Sequence, residues 1–179
     1  MRQLLTVALL FCLAACATPM QTGSQCVVPE GFLADAQTFR WRGETAIQLN
    51  DRTGYISPIV ERGLVNAVIA EIASKGFTYA GDSDADFEVA LVMRTRRELV
   101  SITIDESPCT AADCWERVDP GSSTRMDMRT VGFLAADVYY EGEPIWRGWV
   151  ERNLYPEDRD NPEGVVSQAV PALFETFPP

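Results

Sequence analysis

Histidine is absent from this 179-residue chain. That absence excludes the Ser–His and Cys–His arrangements of nucleophilic catalysis and removes the imidazoles that zinc sites commonly recruit. Lysine is reduced to Lys75 among fifteen basic residues, so a serine–lysine pair would have to be assembled at a helix end. Positive charge is outweighed: 26 Asp and Glu give a formal net charge of −11, which phosphate backbones repel, so nucleic acid is excluded as a partner. A long apolar run is also missing. The longest, residues 4–14, falls well short of the roughly 20 residues that span a bilayer as a helix.

That short run follows Arg2, and the two together read as a secretory signal over residues 1–15 rather than a membrane helix. It ends Leu13-Ala14-Ala15-Cys16, the pattern of a bacterial lipobox, in which Cys16 receives acyl chains, palmitate among them, and becomes the first mature residue. Multiple acyl chains anchor stably, each buried CH₂ contributing about 0.8 kcal/mol. In the lipoproteins that this pattern resembles, an aspartate after the cysteine favours retention in the inner membrane; here that residue is Ala17, so the resemblance implies the periplasmic face of the outer membrane. Residues 16–30 then read as lipidated cysteine and tether, and residues 31–179 as one domain, long enough for a sizeable core.

Of the five cysteines, Cys12 leaves with the leader and Cys16 is acylated. Cys26, Cys109 and Cys114 remain in an oxidising compartment, and three cysteines permit one internal bridge. Cys109 and Cys114 lie five positions apart in one loop and are the favoured pair. The role of Cys26 stays open.

The domain is organised around residues 57–93. Ile56, Ile59, Val60, Gly63, Leu64, Ala67, Val68 and Ile72 recur at three- and four-residue steps, one face of an amphipathic helix. Ser57-Pro58 supplies the N-cap and first-turn proline, and Lys75-Gly76 the stop. Phe87, Val89, Leu91 and Met93 then alternate as a strand for that helix to cover. Beyond Met93, Arg94, Arg96 and Arg97 interrupt before Val100, Ile102 and Ile104 resume, which leaves open whether the strand continues or bends. Residues 36–42 predict a first strand, 43–54 a polar loop, and 77–80 a short edge segment. Residues 105–125 have no periodicity and read as a long loop holding the cysteine pair and Trp115. Residues 130–140 and 145–153 predict a hairpin about a 141–144 turn, 155–162 a linker, and 165–177 a last amphipathic helix containing Pro171. The sum is an α+β fold, an antiparallel sheet of about four to five strands with two helices packed on one face.

Asp82, Asp84 and Asp86 have the spacing that opens an EF-hand loop, but Phe87 stands where that loop needs glycine and Met93 where it needs its closing acid. They read as a solvated turn, and no metal site or cofactor is expected. Glu88, Glu98, Asp137 and Glu151 are strand carboxylates of the type a hydrolase uses in pairs. Trp146 and Trp149, with Trp41, fit either a stacking platform for cell-wall sugars or sheet cover. Arg147 beside them fits a carboxylate clamp or a snorkelling surface residue. Trp115, Trp146, Arg147 and Trp149 are therefore the candidate partner-binding residues, with no catalytic residue assigned.

The order of LAAC, TFRW, the helix ending KGF, DADFEV, GEPIWRGW and a final helix closing on FP resembles the bacterial lipoprotein family known as domain of unknown function 4136. The resemblance covers nearly the whole mature chain. It departs at CTAADCW, which replaces a glycine- and tyrosine-rich segment. It implies fold and address but no catalytic residues. The expected function is that of a non-catalytic, outer-membrane-anchored lipoprotein binding an envelope protein or peptidoglycan, with a carboxylate-dependent cell-wall glycan hydrolase as the alternative.

Overall fold

The computed structural model of the protein describes residues 20–26, 31, 33–43, 47–51, 56–104 and 123–178. Cys16, Cys109, Cys114 and Trp115 lie outside the described residues. Helix α1, Pro58–Ser74, begins where its sequence demands: the Ser57 side chain accepts from the Val60 N–H and proline occupies the first turn. It ends in a Schellman motif. Gly76 takes φ of 101°, its N–H donates to the Ala73 carbonyl, and the Phe77 N–H reaches back to that of Ile72. Leu64, Val68 and Ile72 are its buried residues. Ile59 is 66% exposed and Gly63 is exposed too, so the buried stripe is narrower than the apolar spacing predicts.

Strands β1 (Met20–Cys26), β2 (Thr38–Trp41), β3 (Ile47–Asp51), β4 (Thr78–Tyr79), β5 (Phe87–Ile104), β6 (Ser123–Tyr140) and β7 (Glu143–Leu154) form one sheet. Its order is β1-β7-β6-β5-β2-β4, and β3 follows β2 along the same edge of β5. The expected α+β class holds, but among the described residues the sheet has seven strands rather than four or five and is not purely antiparallel. β2 and β3 run parallel to β5 because α1 carries the chain back over the sheet between β3 and β5, the crossover that parallel neighbours require. The predicted 43–54 loop thus contains β3, and residues 20–26 of the predicted tether form β1, paired with β7. β5 neither stops nor bends at its arginines and runs for 18 residues. β6 and β7 join through Glu141-Gly142, both at positive φ, the two-residue turn that suits the strands' twist.

Helix α2, Pro162–Leu173, starts at Asn161, whose side chain accepts from the Gly164 N–H, and it accommodates Pro171. The predicted linker before it includes a 3-10 turn, Pro156–Arg159. Asp158 on that turn pairs with Arg152 at 2.9 Å, and its other oxygen accepts from the Tyr155 N–H at 2.8 Å. Arg152 is only 8% exposed, so this contact ties the turn to the sheet interior.

One core joins Leu64, Val68 and Ile72 of α1 with Val170 and Leu173 of α2 and with Phe87, Val89, Leu91, Leu134, Ala136, Val138, Trp146 and Val150 of the sheet. Phe174 and Phe177 follow α2 and enter that core. Phe174 stacks on Trp146 with centroids 5.7 Å apart, while Phe177 meets Trp146 edge-on at 4.9 Å and Phe77 at 6.0 Å. Gly148 lies beneath this junction. A Cβ there would sit 2.5 Å from the Leu173 carbonyl, so the end of α2 reaches β7 only because residue 148 has no side chain.

Candidate functional site

Strand alternation sorts β5, β6 and β7 into two faces. Phe87, Val89 and Leu91 point into the helix-covered core, and the intervening residues Glu88, Ala90, Val92, Arg94 and Arg96 belong to the other face. Register then aligns that open face in rows. Ala90 stands beside Asp137 and Arg147, Val92 beside Ala135, Trp149 and Gly23, and Arg94 beside Phe133, Glu151 and Gln21.

Charge on this face is paired across strands. Arg147 grips Asp137 with two donors, one of them 2.7 Å from Oδ2. Asp137 is itself buried, and the contact raises the Arg147 pKa above its ordinary value. Arg40 reaches Glu88 at 2.7 Å. Arg96 donates to Glu151 at 2.7 and 3.1 Å and to Glu98 at 2.6 Å, and Arg129 closes on Glu98 at 2.9 Å. Hydrogen bonds from Arg96 and then Arg129 lower the Glu98 pKa, and those to Glu151 and Glu98 raise that of Arg96. Aromatic rings fill the spaces between pairs. The Arg42 guanidinium lies 3.7 Å over the Tyr139 ring, Arg94 lies 5.9 Å from that of Phe133, and Trp149 spreads over Gly23 of the edge strand β1.

The candidate residues are therefore divided by the sheet. Arg147 and Trp149 share the open face; Trp146 does not. At 3% exposure between Phe174 and Phe177, Trp146 is core, because its parity is that of Gly148 and Val150, and it is corrected here from partner contact to structural residue. Trp41 packs edge-on to Phe39 at 6.3 Å. Sequence reasoning missed Arg42, Arg96, Arg129, Phe133 and Tyr139. The available signal was the alternation of Arg94, Arg96 and Glu98, charges at every second position of a strand.

Asp86 is a bonded turn acid, but its partners are not the neighbours expected of a solvated turn. Its carboxylate accepts from the Gln37 and Thr38 N–H groups and the Thr38 hydroxyl, each at 2.8 Å, and clamps the start of β2 to the start of β5. The Gln37 N–H, then the Thr38 hydroxyl and N–H, lower its pKa. Among the described residues no three His, Cys, Asp or Glu side chains converge as metal ligands. A general acid needs a carboxyl whose pKa is raised toward neutrality; Glu98 is pushed the other way. What the face offers is oriented guanidinium groups, carboxylate acceptors held in hydrogen bonds and flat rings.

Two hollows border the sheet. One, about 90 Å³ and apolar, lies between α1, α2 and the sheet, lined by Val60, Leu64, Met93, Leu134, Val150 and Val165. The other, about 590 Å³, is lined by Asn50, Arg94, Arg96, Arg97, Phe133 and Glu151, where β3 ends beside the open face.

A mixed sheet covered by helices on one side and by arginine–carboxylate pairs and rings on the other defines an α+β protein. By sequence, residues 31–179 match the family described as Domain of unknown function (DUF4136), and the chain belongs to that family. No curated protein matches it. Among solved structures, similar folds include the PelC dodecamer from Paraburkholderia phytofirmans, at 8% identity and TM-score 0.48, covering 87% of this chain and 95% of that one. A DUF4136 family protein from Bacteroides thetaiotaomicron matches at 12% identity and TM-score 0.47, covering 83% and 92% respectively. A PDZ domain protein from Parabacteroides distasonis matches at 12% identity and TM-score 0.44 over 99% of this chain but 41% of its own length.

Proposed function

We propose that the protein is a lipoprotein acylated at Cys16, held at the periplasmic face of the outer membrane, that works by binding an envelope protein or cell-wall partner and not by catalysis. The observation that carries this reading is the open face itself. Its strand carboxylates are clasped by arginines, which favours fixed hydrogen-bond acceptors over a paired acid and base free to act on a glycan. Trp149 and Arg147 stand beside one another on that face, a half-buried ring and a charged fork of the kinds enriched at binding hot spots. The leader and the LAAC sequence support the anchor.

The test is crosslinking in intact cells followed by purification from membranes. Wild type should retain a specific partner, and Trp149→Ala combined with Arg147→Ala should lose it while remaining folded. Trp115→Ala, assayed in parallel, asks whether the cysteine-bearing segment contributes to the same contact. Cys16→Ser should shift the chain from the membrane fraction to precursor or soluble forms and remove the acyl mass. Glycan cleavage by purified protein, abolished by Glu98→Gln or Glu151→Gln, would reject the reading in favour of a hydrolase.

A further inference from the structure

The sheet face that the helices cover does not stop where the helices do. β7 ends at Leu154, opposite Thr130, and β3 ends at Asp51, opposite Thr95. Beyond those rows β5 and β6 continue as a two-stranded arm, pairing from Glu98–Arg129 out to Ile104–Ser123. A two-stranded ribbon is marginal alone in water. Its side chains divide by parity. One side carries Glu98, Val100, Ile102, Arg125, Asp127 and Arg129, with Ile102 41% exposed; the other, continuous with the helix-covered face, carries Leu99, Ser101, Thr124, Met126 and Met128 with no acid among them. Leu99 and Met126 are each 59% exposed and Met128 57%. Most of the large exposed apolar side chains of the described residues outside α1 thus lie on or beside one arm.

The register shows where this arm lies relative to the anchor. Met20 opens β1 opposite Arg152, which stands opposite Gly132 and, through it, Thr95. Traced backwards, β1 runs toward the same end of the sheet from which the arm projects. Cys16 is four residues before Met20, so it lies within about 14 Å of that row. From the same row to Ile104 the arm extends about 30 Å. On the side that carries Leu99, Met126 and Met128 the charged residue is Arg97 at the base, opposite Thr130. Arg94, Arg96, Arg125 and Arg129 belong to the open side, where Arg96 and Arg129 are held by Glu151 and Glu98. The apolar side thus carries a cation and no acid in a chain of net charge −11. Screening makes local charge, not the distant total, decide contact with a surface. The connection beyond Ile104 carries Asp105, Glu106, Asp113, Glu116 and Asp119 against Arg117, which disfavours entry by the tip.

We propose that the Leu99, Met126 and Met128 side of the arm rests on the bilayer that carries the anchor, at a slant, with Arg97 at its base among the lipid phosphates. This rests on the anchoring of Cys16 proposed above. The apolar side chains sink to the headgroup boundary, and the open face with its arginine–carboxylate pairs is held away from the lipid toward the periplasm.

The test uses the full acylated chain, purified and reconstituted in vesicles of phosphatidylethanolamine and phosphatidylglycerol at three to one, doped with a lipid bearing a photoreactive diazirine near its headgroup. Adducts are mapped by peptide mass. Lipid adducts should be enriched several-fold on Leu99, Met126 and Met128 over Ile59 of α1, and Leu99→Ser with Met126→Ser and Met128→Ser should abolish the enrichment with the circular dichroism spectrum unchanged. An intact acyl mass on Cys16 with an unlabelled arm overturns the proposal while leaving the anchor standing. Equal labelling of Ile59, or arm-to-arm adducts between two copies in place of lipid adducts, also overturns it. Absence of acyl mass on Cys16 removes the anchor and this proposal together.

Discussion

The two faces of this sheet are built from alternate residues of the same strands, yet they satisfy burial by opposite means. One face gives Phe87, Val89, Leu91, Val138 and Trp146 to two helices and a pair of C-terminal phenylalanines. The other covers Ala90, Val131, Ala135 and Asp137 with nothing larger than neighbouring arginines, carboxylates and rings. On the first, removing a side chain opens a cavity in close-packed structure. On the second, removing one exposes a patch to water that was near water already. Stability should therefore be concentrated on the helix side and recognition on the open side.

The largest expected effect breaks the comparison at adjacent tryptophans. Trp146→Ala removes the ring on which Phe174 and Phe177 pack and should cost about 3–5 kcal/mol in urea unfolding. Trp149→Ala, three residues away on the other face, should cost less than about 1.5 kcal/mol, in the range of surface and half-buried truncations. Next, Asp158→Ala strands the buried Arg152 guanidinium and should cost about 3 kcal/mol, with Asp158→Asn recovering part of it by keeping an acceptor for the Tyr155 N–H. Gly148→Ala drives a Cβ against the Leu173 carbonyl, a backbone atom that cannot rotate away, and should cost about 1–3 kcal/mol. Its loss should appear as early exchange of α2 amides.

The smallest effect is in the acid limb of stability. Asp86 has a folded pKa below its ordinary 3.8, so its contribution is complete above that value and is lost as pH falls through the folded one. Asp86→Asn should flatten the pH dependence of the melting temperature below about pH 4 and leave the neutral-to-alkaline side unchanged in slope. An unchanged acid limb would show that the clamp on Gln37 and Thr38 does not form in solution.

Much of the helix side was legible from residue order. Leu64, Val68 and Ile72 at successive turns, Ser57-Pro58 before them and Gly76 after them carry α1 almost to the residue, because caps and periodicity act locally. Ile59 misled because it is apolar and lies beside the stripe without facing the sheet. β3 was illegible for a different reason. It is an edge strand that buries Ile47 and leaves Gln48, Leu49 and Asn50 exposed, so no alternation survives, and its pairing comes from the crossover of α1. β1 reads Met-Gln-Thr-Gly-Ser-Gln-Cys and is held by backbone pairing to β7, a cause that leaves little trace in side-chain chemistry. In the candidate site, parity was on the page from the start: Trp146 and Trp149 differ by an odd number and must oppose one another. Grouping them by residue type obscured it. The arginine partners were not legible, since Arg96 meets Glu151 across 55 residues through a register that only the folded sheet defines.

The central claim is that the open face, and not the helix layer, is where this protein meets its partner. It is tested most directly by placing a photoreactive phenylalanine analogue at position 149 and, separately, at the exposed Ser74 of α1, and irradiating intact cells. The account predicts one discrete crosslinked species from position 149, lost when Arg147→Ala is added, and none from position 74. Identical species from both positions, or a species from position 74 alone, would contradict it.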